Sequence, residues 1–324
     1  MPITGSTRVT YPGGAVRGRS AVVATVPVGD GYGTVVAETP FHPLDHTWPD
    51  QPADTGTIGG VAVTDCVTGA VAEGEETVRL GADIPVRRGT PGWHWLVVHV
   101  TAEPVADGGL TDAGFTAAGP GGAGFGAGAD AVGSDTAGLG GAGFRGEVEL
   151  VVDAEGRRAL SAGHTACHLA ALALNAALAG RWRKEAPADG LGHPDFDQAA
   201  IASSRILPGG SQDVYRLGKS LRRKGFGTEG LAEELPRIAR LVGDRLTAWI
   251  AADAAVRIDT PGPELTARRT WHCALPEAEV SIPCGGTHLS STAELGAIAV
   301  TLELSADGSE LTMRTTTGPY AAAS

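Results

Sequence analysis

The chain has 324 residues, of which 42% are hydrophobic and 19% are charged, a composition typical of a globular protein with two domains or one large domain. Its net charge of −12 argues against a protein that coats nucleic acid non-specifically, because most of its surface would repel phosphate. It contains no run of about 18 to 20 apolar residues and does not open with a typical secretory signal. We therefore expect a cytoplasmic protein that does not span a membrane.

The first hundred residues contain short apolar runs with β propensity, for example at 21–26, 34–37 and 95–100. Glycine, proline and aspartate separate these runs, as expected for turns. This pattern predicts a small N-terminal β-barrel domain over 1–106. Glycine then recurs every two or three positions through 107–146. Such a segment loses much backbone entropy on folding and buries little apolar surface, so we predict an insertion or linker.

The remainder of the chain, 147–324, mixes helical and strand patterns. A strand is predicted at 148–152, and the turn that follows leads to an alanine- and leucine-rich helix over 161–179, ended by Gly180. Apolar residues at helical spacing predict a second helix over 229–252. The run 299–304 and the segment after it predict a β-hairpin near the end of the chain. The predicted fold class is therefore α+β for this domain.

Four residues have the spacing and chemistry of metal ligands. His164 and His168 are four positions apart, which places both imidazoles on one face of the predicted helix. Far downstream, Cys284 and His288 flank a Gly-Gly pair that we expect to let the backbone curl inward. Nitrogen and sulfur donors favour Zn²⁺ over Mg²⁺ or Ca²⁺. Four ligands fit a structural or a catalytic zinc equally well. Cys167 is expected to face away from this set as a small buried side chain.

Two motifs around these residues are similar to those of a known family. The stretch 164–169 reads HTACHL, and 282–296 reads IPCGGTHLSSTAELG. Both resemble the editing domain of alanyl-tRNA synthetases and the free-standing AlaX-type trans-editing proteins, in the second additional domain family that threonyl- and alanyl-tRNA synthetases share. Upstream, 38–43 (ETPFHP) and 51–58 (QPADTGTI) resemble the signature of that family's barrel domain. The resemblance spans most of the chain outside the glycine-rich segment.

The resemblance implies an N-terminal β-barrel followed by an α+β editing domain that binds zinc. It implies a metal-dependent hydrolase that cleaves the ester of a mischarged tRNA, most simply serine on the alanine tRNA. Because the domains for aminoacylation are absent, we expect this deacylase to act in trans. Carried over by position, the zinc ligands are His164, His168, Cys284 and His288. The resemblance further places Gln51 near the substrate and Thr165 and Thr287 along the catalytic pocket.

The sequence departs from the family pattern at two places. Trp48, Pro49 and Asp50 stand before Gln51, where family members carry a pair of glycines. His42 stands where a tyrosine is usual, and it either donates a hydrogen bond or lines a turn. These departures leave the acyl group open, with threonine-like, other β-hydroxy or halogenated amino acids in a specialised pathway as alternatives to serine.

The expected RNA partner requires positive charge on an otherwise acidic chain. A basic cluster near 214–224 is the candidate for tRNA phosphate contacts, and a short run at 181–184 is a second one. If the cluster is helical, three of its members share one face. The alternative is an ordinary solvated charged surface. The cluster consists of Arg216, Lys219, Arg222, Arg223 and Lys224.

Two other classes of function remain open from the sequence. The first is a metal-dependent hydrolase of small amino-acid esters that does not bind RNA, for which the basic cluster would be dispensable. The second is a binding protein in which zinc has a purely structural role, so that loss of a ligand would unfold the chain.

Overall fold

The structure is a computed structural model that describes residues 3–106 and 146–318. All but the last residue of the predicted glycine-rich segment lies outside the described residues. Within the described ranges, no helix is long and apolar enough to cross a membrane. The described chain mixes helices and strands, as the sequence predicted.

The N-terminal part is built from strands, and every run predicted to be a strand here lies in or overlaps one. The main sheet has the order β5-β9-β2-β3-β8-β6-β7, and β5 also pairs with β6. The strands β1 and β4 form a separate parallel pair. The bounds are β1 (Arg8–Val9), β2 (Arg17–Val28), β3 (Gly31–Val36), β4 (Glu38–Thr39), β5 (Gly56–Ile58), β6 (Val61–Ala72), β7 (Arg79–Leu80), β8 (Trp93–Thr101) and β9 (Glu147–Val152).

Strand β9 connects the two parts of the chain. It follows the glycine-rich segment in sequence, and we assigned it to the second predicted domain. Its hydrogen bonds join it to β2 and β5 of the N-terminal sheet. Alternate residues of β9 are buried, and Val148, Leu150 and Val152 pack into the core of that sheet with Phe41 and Trp95. The predicted domain boundaries at 106 and 147 stay predictions.

The second part packs helices against two further sheets. One sheet has the order β10-β11-β16-β15 and the other β12-β13-β14, and all their pairings are antiparallel. The bounds are α1 (Ala154–Leu178), α2 (Phe196–Ala200), β10 (Ile201–Leu207), β11 (Gly210–Arg216), α3 (Lys219–Arg223), α4 (Leu231–Ala251), β12 (Val256–Asp259), β13 (Thr270–Ala274), β14 (Glu279–Pro283), β15 (Ile298–Leu304) and β16 (Glu310–Thr317).

Helix α1 begins earlier than the sequence pattern predicted. It starts at Ala154 and not at 161, because the Asp153 side chain caps it by accepting hydrogen bonds from the amides of Glu155 and Gly156. The residues that we interpreted as a turn therefore form the first turn of the helix. The predicted helix over 229–252 agrees with α4, which packs against α1 through a shared core.

A buried ion pair ties α1 to the N-terminal part. The Arg157 guanidinium is 6% exposed and donates two hydrogen bonds to the Asp54 carboxylate, with Nε 2.7 Å from Oδ1. It donates further to the carbonyl of Pro40 at 2.8 Å. The Asp54 carboxylate also accepts the backbone amide of His42. One turn of α1 is thereby held against the N-terminal loops that lead into the candidate metal site.

We predict that Arg157→Met lowers the free energy of unfolding by about 3 to 5 kcal/mol, because it leaves the Asp54 carboxylate buried without its partner. The matched control is Arg158→Met, since the neighbouring Arg158 pairs with Glu294 while remaining 62% exposed. That change should cost about 0 to 1 kcal/mol. Urea unfolding followed by circular dichroism measures both. Equal losses in the two variants would contradict the role of the buried pair.

Candidate metal centre

Helix α1 and the loop after β14 bring together the four residues predicted as metal ligands. One donor atom from each of His164, His168, Cys284 and His288 lies within 4.8 Å of all the others. The Cys284 Sγ is 3.5 Å from the Nε2 of His164 and 3.3 Å from the Nε2 of His288. Bonds of about 2.0 to 2.3 Å to one tetrahedral ion would separate such atoms by roughly 3.3 to 3.6 Å. The cluster could therefore hold a metal ion.

Hydrogen bonds on the far side of two imidazoles determine which nitrogen faces the cluster. His164 Nδ1 lies 2.7 Å from the Gln51 Oε1 and donates to it, while His288 Nδ1 lies 3.3 Å from the Thr165 hydroxyl. Each bond orients its ring and leaves Nε2 as the free donor atom. Metal-binding histidines are held in this way in proteins generally.

The third imidazole supplies independent support for a bound cation. His168 Nε2 is buried and has no hydrogen-bond partner among the described residues. Burial lowers the pKa of His168 to about 4 and those of His164 and His288 well below the usual range, so the metal-free rings are neutral. Burial raises the pKa of the Cys284 thiol to about 12. A neutral, buried nitrogen without a partner is what a metal ligand requires.

Of the Gly-Gly pair, Gly286 serves the site by the space that it leaves empty. Neither Gly285 nor Gly286 is among the glycines with positive φ, so neither needs a left-handed backbone conformation. A Cβ on Gly286 would lie 2.3 Å from the His164 ring and 2.5 Å from the Gln51 Oε1. A Cβ on Gly285 would have no heavy atom within 4 Å.

The residues predicted to line the catalytic pocket lie at different depths. Gln51 lines the cavity, and its amide also binds the backbone amide and the hydroxyl of Thr287 at 3.0 and 2.9 Å. Thr287 and Thr165 are not among the residues that line this cavity and lie behind the candidate ligand residues, so their role in catalysis stays a prediction. The Thr287 hydroxyl also accepts a hydrogen bond from Ser161, a residue that the sequence analysis did not single out.

A cavity of about 920 Å³ opens beside the cluster and runs along α1. His164 lies at one end with Trp48, Asp50 and Gln51, and Asn175 lies at the other. These two helix positions are 11 residues apart, which corresponds to about 16 Å. At the Asn175 end, the side chain of Asn175 donates hydrogen bonds to two aspartates of the loop before α2.

The lining of this cavity is acidic. Among the described lining residues there is no lysine and a single arginine, Arg88, which pairs with Asp45 at 2.7 Å. Burial raises the pKa of Asp50 to about 6, that of Asp197 to about 7, and that of Asp213 above its usual range. The cavity therefore favours a ligand that brings positive charge or hydrogen-bond donors. The aspartates that line it are Asp45, Asp50, Asp189, Asp195, Asp197 and Asp213.

Cys167 belongs to this cavity, contrary to prediction. It lies three residues after His164, an offset that places it beside the ligand face of α1. Its Sγ is 3.4 Å from an oxygen of Asp213 and 3.6 Å from the Ser204 hydroxyl. Cys167 stays outside the donor cluster, as predicted, but its polar contacts contradict the prediction of an apolar core position.

The predicted tRNA-binding residues are exposed and do not line the cavity beside the cluster. Arg216 ends β11, whereas α3 begins at Lys219, so the prediction that three of these residues share a helical face is wrong. None of the five forms an ion pair with any described residue. The second basic run lies next to them, because Trp182 pairs with Phe226 and Lys184 donates to the carbonyl of Arg223. The two predicted basic segments are thus one surface, and Lys184, Arg223 and Lys224 line a second cavity of about 450 Å³ there.

Asp50 and Tyr11 are site residues that sequence reasoning did not identify as such. Asp50 Oδ2 lies 3.9 Å from the His164 Nε2, and the Tyr11 hydroxyl donates to the carbonyl of Gly285 at 3.3 Å. Asp50 stands next to Gln51 in sequence, which is a local signal. Tyr11 carries none, because 274 residues separate it from Gly285.

In comparisons with known proteins, no protein-family model matches the chain, and no curated protein gives a significant match. The residues of the site are therefore the basis on which its function is proposed.

We predict that Gly286→Ala lowers the metal bound per chain at least several-fold, because the new methyl group would displace His164 or Gln51. Gly285→Ala is the matched control and should retain the wild-type metal content, since its methyl group meets nothing. Elemental analysis of both variants after dialysis measures the difference. Wild-type metal content in Gly286→Ala would contradict the close packing of the site.

Proposed function

We propose that this chain is a zinc-dependent aminoacyl-tRNA deacylase of the trans-editing type, which hydrolyses the ester of a mischarged tRNA, most simply serine on the alanine tRNA. The observation that carries the proposal is the convergence of His164, His168, Cys284 and His288 at one end of a large cavity. The motifs around these residues resemble those of alanyl-tRNA synthetase editing domains and AlaX-type proteins. Gln51, which that resemblance places near the substrate, contacts the cluster directly.

Zinc is the proposed ion because three imidazoles and one thiolate are the borderline-soft donors that it prefers. When bound, zinc would supply a Lewis acid that polarises an oxygen or orients the substrate. The donor set fits such an ion, since the Nε2 atoms of His164 and His288 face the Cys284 sulfur and His168 Nε2 has no hydrogen-bond partner among the described residues.

The protein's own residues would position the ester and the water. An aminoacyl ester is already activated, so placement of a water molecule and of the terminal ribose supplies much of the rate. The water oxygen bonds to the carbonyl carbon, the bond from that carbon to the ribose oxygen breaks, and one proton passes to the ribose oxygen. Asp50 lines the cavity beside His164, and its raised pKa suits a group that exchanges a proton near neutral pH. The products are the free amino acid and tRNA.

We also propose that the N-terminal sheet is a small closed barrel and that the second part of the chain is the editing domain. Strand β5 supports the closure, because it pairs with both β9 and β6, and β9 reaches β6 through β2, β3 and β8. The joint basic surface of Lys184 and the 216–224 cluster would contact tRNA phosphates.

The acidic cavity favours a second candidate, the hydrolase of small amino-acid esters that acts without RNA. Six aspartates line the cavity. They suit an ammonium group better than a phosphate. For that candidate, removal of the basic surface would change nothing and activity would not fall with salt. For the deacylase, rising salt weakens substrate binding.

The proposed activity predicts rapid and selective ester hydrolysis by the purified protein. The test is a panel of labelled seryl-, glycyl-, alanyl- and threonyl-tRNAs, with zinc measured on the same sample. One mischarged species should be lost quickly while cognate alanyl-tRNA is spared. If every ester survives while about one zinc per chain is bound, these substrates are excluded.

The matched control separates the metal site from a general effect of losing a histidine. His288→Ala should reduce the deacylation rate by about 100-fold or more. His94→Ala, which changes a histidine of β8 outside the cluster, should leave the rate unchanged. A folded but inactive His288→Ala supports the enzyme, whereas an unfolded one supports a structural zinc.

A further inference from the structure

Trp48 is the most exposed of the large hydrophobic side chains in the described parts of the chain, at 51%. The other exposed members of this group are Val23, Tyr32, Leu207 and Leu241, and none of them lines the cavity. Trp48 alone combines exposure with a place at the cavity. An indole ring left in water at the edge of a polar cavity is a surface on which a flat ligand group can stack.

The loop that carries Trp48 is fastened on both sides. Before it, Asp45 accepts hydrogen bonds from Arg88 at 2.7 Å and from the Thr47 amide at 2.9 Å. After it, the carbonyl of Asp50 accepts the amide of Ile206 at 2.7 Å, and the Asp50 amide donates to the carbonyl of Trp48. Pro49 restricts the backbone between them. A ring held on a fixed loop loses little entropy when a ligand stacks on it.

The distance between Trp48 and the donor cluster matches the length of a nucleoside. Asp50 lies 3.9 Å from His164 in the donor cluster. Two residues span at most about 7 Å, so the backbone of Trp48 lies within that distance of Asp50. In an aminoacyl-RNA, one ribose separates the ester from the terminal base. A base on Trp48 would therefore leave its ester beside the cluster.

The charge of the cavity determines from which end a nucleic acid would enter. The Asn175 end holds Asp189 and Asp195, which would repel phosphate. The Trp48 end holds two aspartates, Asp45 and Asp50, but it also carries the single arginine among the described lining residues, Arg88, which pairs with Asp45 at 2.7 Å. The RNA strand would thus arrive on the Trp48 side, and the amino acid would point along the cavity toward the aspartates.

We infer that Trp48 is a stacking platform for the terminal base of the RNA that carries the ester. The inference rests on the proposed function and deepens it, since it names the part of the substrate that this side chain binds. Any base can stack on an aromatic side chain. Trp48 therefore contributes affinity and placement, while other groups determine which RNA is bound.

The test uses an uncharged RNA hairpin with a single-stranded CCA end in which 2-aminopurine replaces the last adenine. Stacking on the indole ring should quench 2-aminopurine fluorescence on binding to the wild type. Trp48→Ala should abolish the quenching and raise the Kd about 10-fold or more, and Trp48→Phe should lie between. The matched control is Tyr32→Ala, which removes an exposed aromatic ring outside the cavity and should behave as the wild type.

Kinetics on the same hairpin charged with serine separate stacking from a structural effect. Trp48→Ala should raise KM about 10-fold or more with little change in kcat. Quenching and Kd unchanged in Trp48→Ala would overturn the inference. A wild type that deacylates without quenching overturns stacking and leaves the proposed function intact. Quenching that depends on Trp48 without any deacylation supports stacking and overturns the proposed function.

Discussion

The candidate metal centre depends on one buried amide, that of Gln51. Its oxygen accepts hydrogen bonds from His164 and from the backbone of Thr287, and its nitrogen donates to the Thr287 hydroxyl. These bonds join a loop of the N-terminal part to α1 and to the loop that carries Cys284 and His288. Because the oxygen holds His164 Nδ1, the other ring nitrogen is directed at the cluster. The space that Gly286 leaves empty is what allows this amide to approach.

The rest of the molecule keeps that contact in place and builds a cavity around it. The buried ion pair of Arg157 and Asp54 holds α1 against the same N-terminal loops. The cavity then has two unlike ends, a donor cluster with an exposed indole ring and, about 16 Å along the helix, a group of aspartates. An amino acid esterified to a nucleoside also has two chemically different ends, a flat base and an ammonium group. The proposed substrate therefore matches the polarity of the cavity.

Local patterns predicted much of this structure. The spacing of His164 and His168 on a helix, together with Cys284 and His288, identified the donor set, and alternation or helical spacing identified α4 and six of the sixteen described strands. The wrong predictions concern residues whose positions depend on contacts between distant segments or on the angular offset around a helix. Asp153 was interpreted as part of a turn although it caps α1, and Cys167 was placed on the wrong side of that helix. Thr165 and Thr287 hold ligand residues from behind, which only the packing of remote segments reveals. The acidic cavity likewise combines aspartates from loops and strands far apart in sequence.

The central claim is that three imidazoles and one thiolate of this chain hold a single zinc ion. X-ray absorption at the zinc edge of the purified protein tests it most directly, because it counts the nitrogen and sulfur neighbours of the ion. We predict about one zinc per chain, with one sulfur at about 2.3 Å and three histidine nitrogens at about 2.0 to 2.1 Å. The sulfur should disappear in Cys284→Ala and persist in Cys167→Ala. A shell without sulfur, or a purified protein that binds no zinc, would contradict the account.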